Sequence, residues 1–424
     1  AYNRGVVMAA DCYYNAGTPG AGGNIYQQSA FIIAKSDAEQ AIRDYTGYIF
    51  DGGGHTLSGS ATNQVLICYT NDAIIRNVVI TSNGLNMNGL TIHRSTGVKL
   101  NNVSSINNGK AGVIINTSEV IANKLSTSGN GWGGVNVDSK NIANAKFDFS
   151  DGTSTFAEKA KVWVDNVSAA MHTVTVPAGW TFSVNVRGQE MYHPIGEISP
   201  GAIVLNGESY ATLGAAITKA VSGDIITIGA GIYDIATSTS LNINENLTIE
   251  GDGAVIRANT PATRSFSVTT TADYHGKNPV FYITGGNVTL KNLTISTNQT
   301  PTNTAVDGIT ITDGTLTLDG VTFDGIVGNA GYTGNQYGRC ITALASSVIT
   351  VNNCTFKNFN KNGIHMFENS TANIDGCAFT GHGDAVSGNQ VAAQNGVVFM
   401  GNTTTGSVEN CTFNDFIHSG DGSC

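Results

Sequence analysis

The sequence predicts an all-β protein made of two right-handed parallel β-helix solenoids with short helical N-caps, joined by a β-rich connector. Three observations carry the prediction. In the first half, apolar residues recur in columns about 22 residues apart. In the second, a different phrase closing in T-I, T-F or A-F repeats from NVTLKNLTI to TGSVENCTF. Each half also opens with a short amphipathic helix followed by a glycine-bounded strand.

Composition agrees with stacked strands and short polar turns. Of 424 residues, 52 are glycine and only 12% are charged, while 41% are hydrophobic, enough for an ordered core. Repeat architectures escape the size limit of a single globular core, so this length suits two elongated domains. We place the boundaries at 1–148 for the first β-helix with its leading segment, 149–202 for the connector and 203–424 for the second β-helix.

Taken in order, Ser36-Asp-Ala-Glu39 is a capping box before AEQAIRDY, in which the serine oxygen takes the N3 amide and Glu39 reaches back. A helix there would cover the apolar end of the first rung, which otherwise exposes unpaired strand edges. YIFDGGGHTLSG follows. Then VLICYTNDAIIRNVVI sets Val65 over Leu90 and Val78 over Val103, a spacing of 25. From Gly89 to Phe147 three phrases align, giving the columns Val98/Val120/Ile142, Val103/Leu125/Phe147 and Leu90/Val113/Val135. Within each phrase the apolar residues alternate and then meet Asn, Gly or Ser, the pattern of short strands with one buried face.

Phe149 to Ala202 lacks that pattern. TVTVPAGWTFSVNV reads as a β-hairpin turning at Pro177-Ala-Gly179. Beyond it Leu213, Ala216, Ile217 and Ala220 share one helical face, a second cap ahead of IITIGAGIYDI. In the repeats that follow, Leu293, Val321, Cys354, Cys377 and Cys411 form one inward column and Ile295, Phe323, Phe356, Phe379 and Phe413 the next. Each is preceded by a further short strand, such as GITI at Gly308 or GIHM at Gly363.

Over roughly residues 30–147 and 207–416 these features resemble the right-handed parallel β-helix superfamily shared by pectate-lyase-like enzymes and many secreted surface proteins. The resemblance implies the fold and leaves the activity open. Gly381-His-Gly-Asp384, with His365 on the preceding strand and Asp375 nearby, looks like the GHG element of polygalacturonases, in which a histidine supports paired carboxylates. No adjacent Asp-Asp pair and no Arg-x-Lys accompany it, so His365, His382 and Asp384 are weak catalytic candidates and a polar turn is the simpler reading. Val162-Trp-Val-Asp-Asn166 looks like the WxDH stretch of pectate lyases with asparagine in place of histidine. No RxPxxR follows, and a strand is the better reading. His93-Arg94 and Arg339 are single basic residues at turns, where solvation is the rule.

Asparagines heading N-x-S/T recur at one turn position, among them Asn102, Asn292, Asn353 and Asn410; there an asparagine tolerates left-handed geometry and bonds its neighbours. Asn116, Asn298, Asn369 and Asn402 are the candidates for glycosylation. Cys354, Cys377 and Cys411 act as small apolar side chains, though neighbours in such a column can oxidise. Seven cysteines is an odd count, and Cys12 and Cys424, near the two ends, are candidates for an intermolecular disulfide. Tyr332 and Tyr337, with Tyr274 and Tyr282, could stack on sugar rings.

A net charge of −10 argues against nucleic acid and anionic membranes as partners. With no apolar run near eighteen residues, no membrane span is expected; Ala1 is expected to follow a removed leader, which places the protein outside the cell. No cofactor is expected; Ca²⁺ would suit an acidic-polysaccharide lyase, but no motif supports it. The function expected is a non-catalytic extracellular surface protein, structural and self-assembling end to end or adhesive, since no helix follows the last repeat to cap it. The alternative is a carbohydrate-active enzyme or a glycan-binding module.

Overall fold

The computed structural model describes residues 5–13, 29–33, 47–59, 64–68, 70–82, 86–138, 144–165, 171–236, 240–259, 279–297, 307–326, 338–359, 361–367, 369–381 and 395–416. These residues are nearly all β, with one helix, and most strands pair in parallel. The chain divides into two compact units, Ala1–Ser199 and Pro200–Cys424. No helix is long and apolar enough to cross a membrane. The first expected cap, around Ser36 to Glu39, lies outside the described residues.

In the first unit the chain alternates between two sheets. One takes Ile74–Thr81, Val98–Ile106, Glu119–Ser128 and Ala145–Asp148 in succession, and the other takes Gln64–Cys68, Leu90–His93, Ala111–Asn116 and Gly133–Asp138. The register matches the expected columns where both are described: Val98 pairs with Val120, Val103 with Leu125, Leu90 with Val113, and Val113 with Val135. All of these are buried in one apolar cluster.

The Val103/Leu125/Phe147 column needs correction at its last member. Phe147 pairs with Val120, not with the Leu125 row, and Ile142 lies outside the described residues. The repeated letters IANK and IANA tempt a 22-residue alignment, but the chain takes five more residues to return to the sheet. A large apolar side chain then fills the Val98/Val120 column, where Phe147 is fully buried against Phe149, centroids 5.1 Å apart.

Strands from 149–202 join the sheets of this first unit. Val162–Val164 pairs in parallel with Gly133–Asp138, and His172–Thr175 with Ala145–Asp148. The expected hairpin at Pro177 is not one: His172–Thr175 and Trp180–Val184 belong to different sheets. The antiparallel hairpin comes later, with Trp180–Val184 against Glu190–Pro194. Its turn is closed by Asn185, whose side chain bonds the Arg187 amide at 3.0 Å and Gln189 Oε1 at 2.8 Å.

In the second unit the strands Ile203–Leu205 and Glu208–Ser209 precede the helix Leu213–Lys219, which is capped by the Thr212 hydroxyl accepting from the Ala215 amide at 3.1 Å. Leu213 and Ala216 are buried, and Ile217 and Ala220 pack beside them. The chain then alternates again. One sheet runs through Leu247–Asn259, Asn287–Thr297, Thr315–Asp319, Val348–Asn352, Thr371–Asp375 and Thr405–Glu409. The other runs through Leu241–Ile243, Phe281–Ile283, Ile309–Ile311, Ile341–Ala343, Asn362–Met366 and Asn395–Phe399. The Ile295/Phe323/Phe356/Phe379/Phe413 column is in register, and each residue of the Leu293/Val321/Cys354/Cys377/Cys411 column stands two positions ahead of it.

Bends between inward-facing segments fall on residues with left-handed backbone. In the first unit these are Asn77, Asn102 and Lys124, and in the second Asn292, Gly320, Asn353, Gly376 and Asn410. Glycine or a short polar side chain takes this backbone with least strain, which favours the Asn and Gly alternation of the second unit; Lys124 in the first unit departs from it. The asparagines also bond to the neighbouring strand: Asn102 Nδ2 donates to Asn77 Oδ1 at 3.0 Å, and Asn410 Nδ2 to Asp375 Oδ1 at 2.7 Å.

Candidate functional site

Four strand openings of the second unit align as Asp307-Gly-Ile-Thr-Ile, Arg339-Cys-Ile-Thr-Ala, Asn362-Gly-Ile-His-Met and Asn395-Gly-Val-Val-Phe. Their pairing puts Tyr282, Thr310, Thr342, His365 and Val398 in one row. The flanking Ile309, Ile311, Ile341, Ala343, Ile364 and Met366 all belong to the core. Successive side chains of a strand point to opposite faces, so the row faces away from that core. Yet Thr310 is 1% exposed, Thr342 0% and His365 9%.

A polar row that leaves the core and is still shielded from bulk water is unusual chemistry for a structural sheet. The Thr310 and Thr342 hydroxyls have no hydrogen-bond partner among the described residues. An unmet buried hydroxyl costs about 1–3 kcal/mol, and such groups are normally completed by water or by a ligand. The His365 ring lies flat on Phe367, centroids 4.2 Å apart and planes 5° apart, which fixes its orientation.

The ends of the same strands carry charge. Asp307 is fully buried, and its Oδ1 accepts the Gly338 and Arg339 amides at 3.0 and 2.8 Å, while Oδ2 has no partner among the described residues. Burial raises its pKa, against the pull of the Arg339 charge and the two amides. Arg339 is itself 3% exposed, so the solvated position expected from the sequence is corrected. Lys361 is brought beside it by the ladder bond from its amide to the Gly338 carbonyl, 3.2 Å. Burial, with the Arg339 charge, lowers the Lys361 pKa to about 8. Burial, with the Asp307 charge, pushes the Cys340 thiol well up.

The other candidates fall elsewhere. His382, Asp384, Asn298, Tyr332, Tyr337 and Cys424 lie outside the described residues, as do Asn166 and Tyr274. Asp375 is on a strand of the other sheet from His365 and is engaged by Asn410. Asn116 is 6% exposed, closed to a glycosylating enzyme once folded, whereas Asn369 and Asn402 are exposed. Cys12 is an exposed free thiol. Among the described residues no group of three or more His, Cys, Asp or Glu could hold a metal ion.

In the corresponding row of the first unit Asn136, beside Trp163, is 4% exposed and its Nδ2 has no partner among the described residues. Trp163 donates Nε1–H to Asp165 Oδ1 at 3.0 Å and packs with Ala111 and Met191. The VWVD stretch is therefore a strand with a self-satisfied tryptophan. Asp307, Thr310, Thr342 and Lys361 were not singled out from the sequence. Aligning the strand openings by their inward isoleucines would have found the outward Thr/Thr/His row.

No family model matches the chain, and no curated protein matches it. Among solved structures it is similar to the PL6 family alginate lyase AlyGC, at 14% identity and TM-score 0.32, covering 88% of this chain and 62% of that one. A point mutant of the same enzyme matches with 14% identity and TM-score 0.32, covering 91% and 68%. The chain thus spans 62% of the length of the first of these.

Proposed function

We propose that the protein is a secreted pair of right-handed parallel β-helices whose second unit binds an acidic polysaccharide across the row of Thr310, Thr342 and His365. The chain's alternation between two in-register parallel sheets in each unit supports the coiled architecture. The observation that carries the function is the buried polar row with unmet hydroxyls beside Arg339 and Lys361. Hydroxyls and an imidazole suit sugar hydroxyls, and the two cations suit a uronate carboxylate. Lys361, with a pKa of about 8, is also suited to removing the proton next to that carboxylate in a β-elimination.

The test is a screen of pectin, alginate and glycosaminoglycans with and without Ca²⁺. Binding is read by affinity electrophoresis, and elimination by the ultraviolet absorbance of unsaturated products. Retardation by a uronate polymer but not by neutral glucans is the expected result; no retardation by any of them removes the proposal. Product absorbance assigns a lyase, and retardation alone a binding module.

A specific observation favours a second reading, end-to-end self-association in a structural role. Phe413 is 47% exposed although its column neighbours Phe356 and Phe379 are fully buried. Asn395–Phe399, Thr405–Glu409 and Thr412–Asn414 each pair on one side only among the described residues. Such edges recruit further strands. Light scattering over a concentration series checks it: growing particles support assembly, and a constant monomer mass argues against it.

A further inference from the structure

Cys354, Cys377 and Cys411 stand at matching positions just ahead of three consecutive parallel strands, Thr355–Lys357, Ala378–Thr380 and Thr412–Asn414. The contact between them is direct. The Cys354 amide donates to Cys377 Sγ at 3.4 Å, while the Cys354 and Cys411 thiols donate to the Asn352 and Glu409 carbonyls at 3.1 and 3.0 Å. All three are free thiols. A buried column of three needs only apolar bulk, which Val321 and Leu293 supply one and two strands earlier. Three thiols at matching positions of neighbouring strands have chemistry that those side chains lack.

Access separates them. Cys354 and Cys377 are 1% and 2% exposed, whereas Cys411 is only partly buried. The neighbouring Cys354 thiol and amide, with the Cys411 thiol, hold the Cys377 pKa down, to about 7, against its burial. The Cys354 thiol is pushed up by its Cys377 neighbour, and burial raises Cys411. The column therefore has a sulfur that solvent can reach beside one whose thiolate is favoured, the arrangement of an entering and a resolving thiol.

We propose that Cys377 and Cys411 form a reversible disulfide between consecutive strands, made by exchange with a low-molecular-weight disulfide. The Cys411 thiolate attacks the small disulfide, forming a mixed disulfide and releasing one small thiolate. The Cys377 thiolate then attacks the Cys411 sulfur, the Cys377–Cys411 bond forms and the second small thiolate leaves. The two protons lost by the cysteines are taken up by the released thiolates, so the pair is oxidised by two electrons and the small disulfide is reduced to two thiols. Cys354 stays reduced.

Geometry sets the character of this bond. Neighbouring strands are about 4.7–4.9 Å apart, and a relaxed disulfide brings its Cβ atoms to about 3.5–4.5 Å. Closing it requires the strand Thr412–Asn414 to move inward. That strand pairs only with Ala378–Thr380 among the described residues, so it draws no further strand with it. A strained cross-link of this kind is readily reduced, which suits a redox-responsive clasp on this strand.

The full chain is incubated with oxidised glutathione, alkylated without reduction and digested for mass spectrometry. The proposal expects a peptide pair joined through Cys377 and Cys411, reversed by dithiothreitol, with Cys354 alkylated on denaturation. It also expects Cys411 to be the first of the three alkylated in the native protein. Cys411→Ser should abolish the linked pair, and Cys12→Ser should leave it intact. Glutathione retained on Cys411 alone, a Cys354–Cys377 link instead, or all three thiols still free would overturn it. If Cys411→Ser fails to fold, the native alkylation order and the wild-type peptide map decide the matter alone.

Discussion

Phe356 and Phe379 lie on consecutive parallel strands with ring centroids 4.5 Å apart and planes inclined by 7°. Phe323 and Phe413 extend the stack on either side, at 4.9 Å and 4.8 Å. These distances equal the spacing of neighbouring strands, because the same residue in the same rotamer at the same register must repeat with the strands. The stack thus reports the register independently of the backbone hydrogen bonds. It also concentrates stability: Phe356 is fully buried between two ring faces.

Phe356→Ala should destabilise the second unit by about 3–5 kcal/mol, from lost burial plus a cavity that flanking strands cannot close. Phe356→Leu should cost less. Urea denaturation followed by far-ultraviolet circular dichroism measures both, and equal losses would argue that aliphatic bulk restores nothing and that the ring stacking carries the whole contribution.

The left-handed bends give a sharper contrast. Asn353 has φ of 54° and its side chain donates to Asp319 Oδ1 at 3.2 Å. Asn353→Ala should cost about 1–2 kcal/mol through backbone strain alone, while Asn353→Gly should remain close to the parent. The same denaturation curve separates them.

In the first unit Asn130 closes a buried polar ladder. Its Oδ1 accepts from Asn108 Nδ2 at 2.8 Å, and its Nδ2 donates to Glu158 Oε1 at 2.6 Å and to the Ser105 carbonyl at 3.0 Å. Asn130→Ala removes these buried side-chain bonds, although Asn108 Nδ2 keeps Ser105 Oγ and Glu158 keeps Thr127 Oγ1, and should cost about 1–3 kcal/mol. Its thermal midpoint should fall further than that of Asn102→Gly, whose side chain is exposed.

Lys361 predicts opposite pH trends in two observables. Its folded-state pKa of about 8 lies below its ordinary value of 10.5. The ammonium is therefore disfavoured by the fold: the penalty is complete below about 8 and disappears above 10.5, so this group adds stability as pH rises between them. Uronate affinity should be level below about 8 and weaken about tenfold per pH unit above it. If the lysine is the base of an elimination, kcat should instead rise as pH passes about 8. A flat profile in both would remove Lys361 from the site.

Much of the fold was legible because a core column repeats its side chains at fixed spacing. Val98/Val120 and Phe323/Phe356/Phe379 are apolar in sequence for the same reason that they touch in space. The misplaced Phe147 shows where that logic fails. Repeated letters set an alignment, but the length of chain spent between strands sets the register, and that length is free to vary. The Pro177 hairpin failed similarly, since a turn signal fixes a reversal without saying which sheet the next strand joins. The site was less legible still. Thr310 and Thr342 are unremarkable letters in a strand; only their shielding on the face away from the core sets them apart.

The most direct measurement is a calorimetric titration of uronate oligosaccharides into the wild-type chain, Lys361→Gln and His365→Ala near neutral pH, with folding of each checked by its thermal midpoint. The account predicts saturable binding by the wild type, at least about tenfold weaker in both variants, and none of a neutral glucan. Affinity unchanged by both substitutions in folded protein would contradict it.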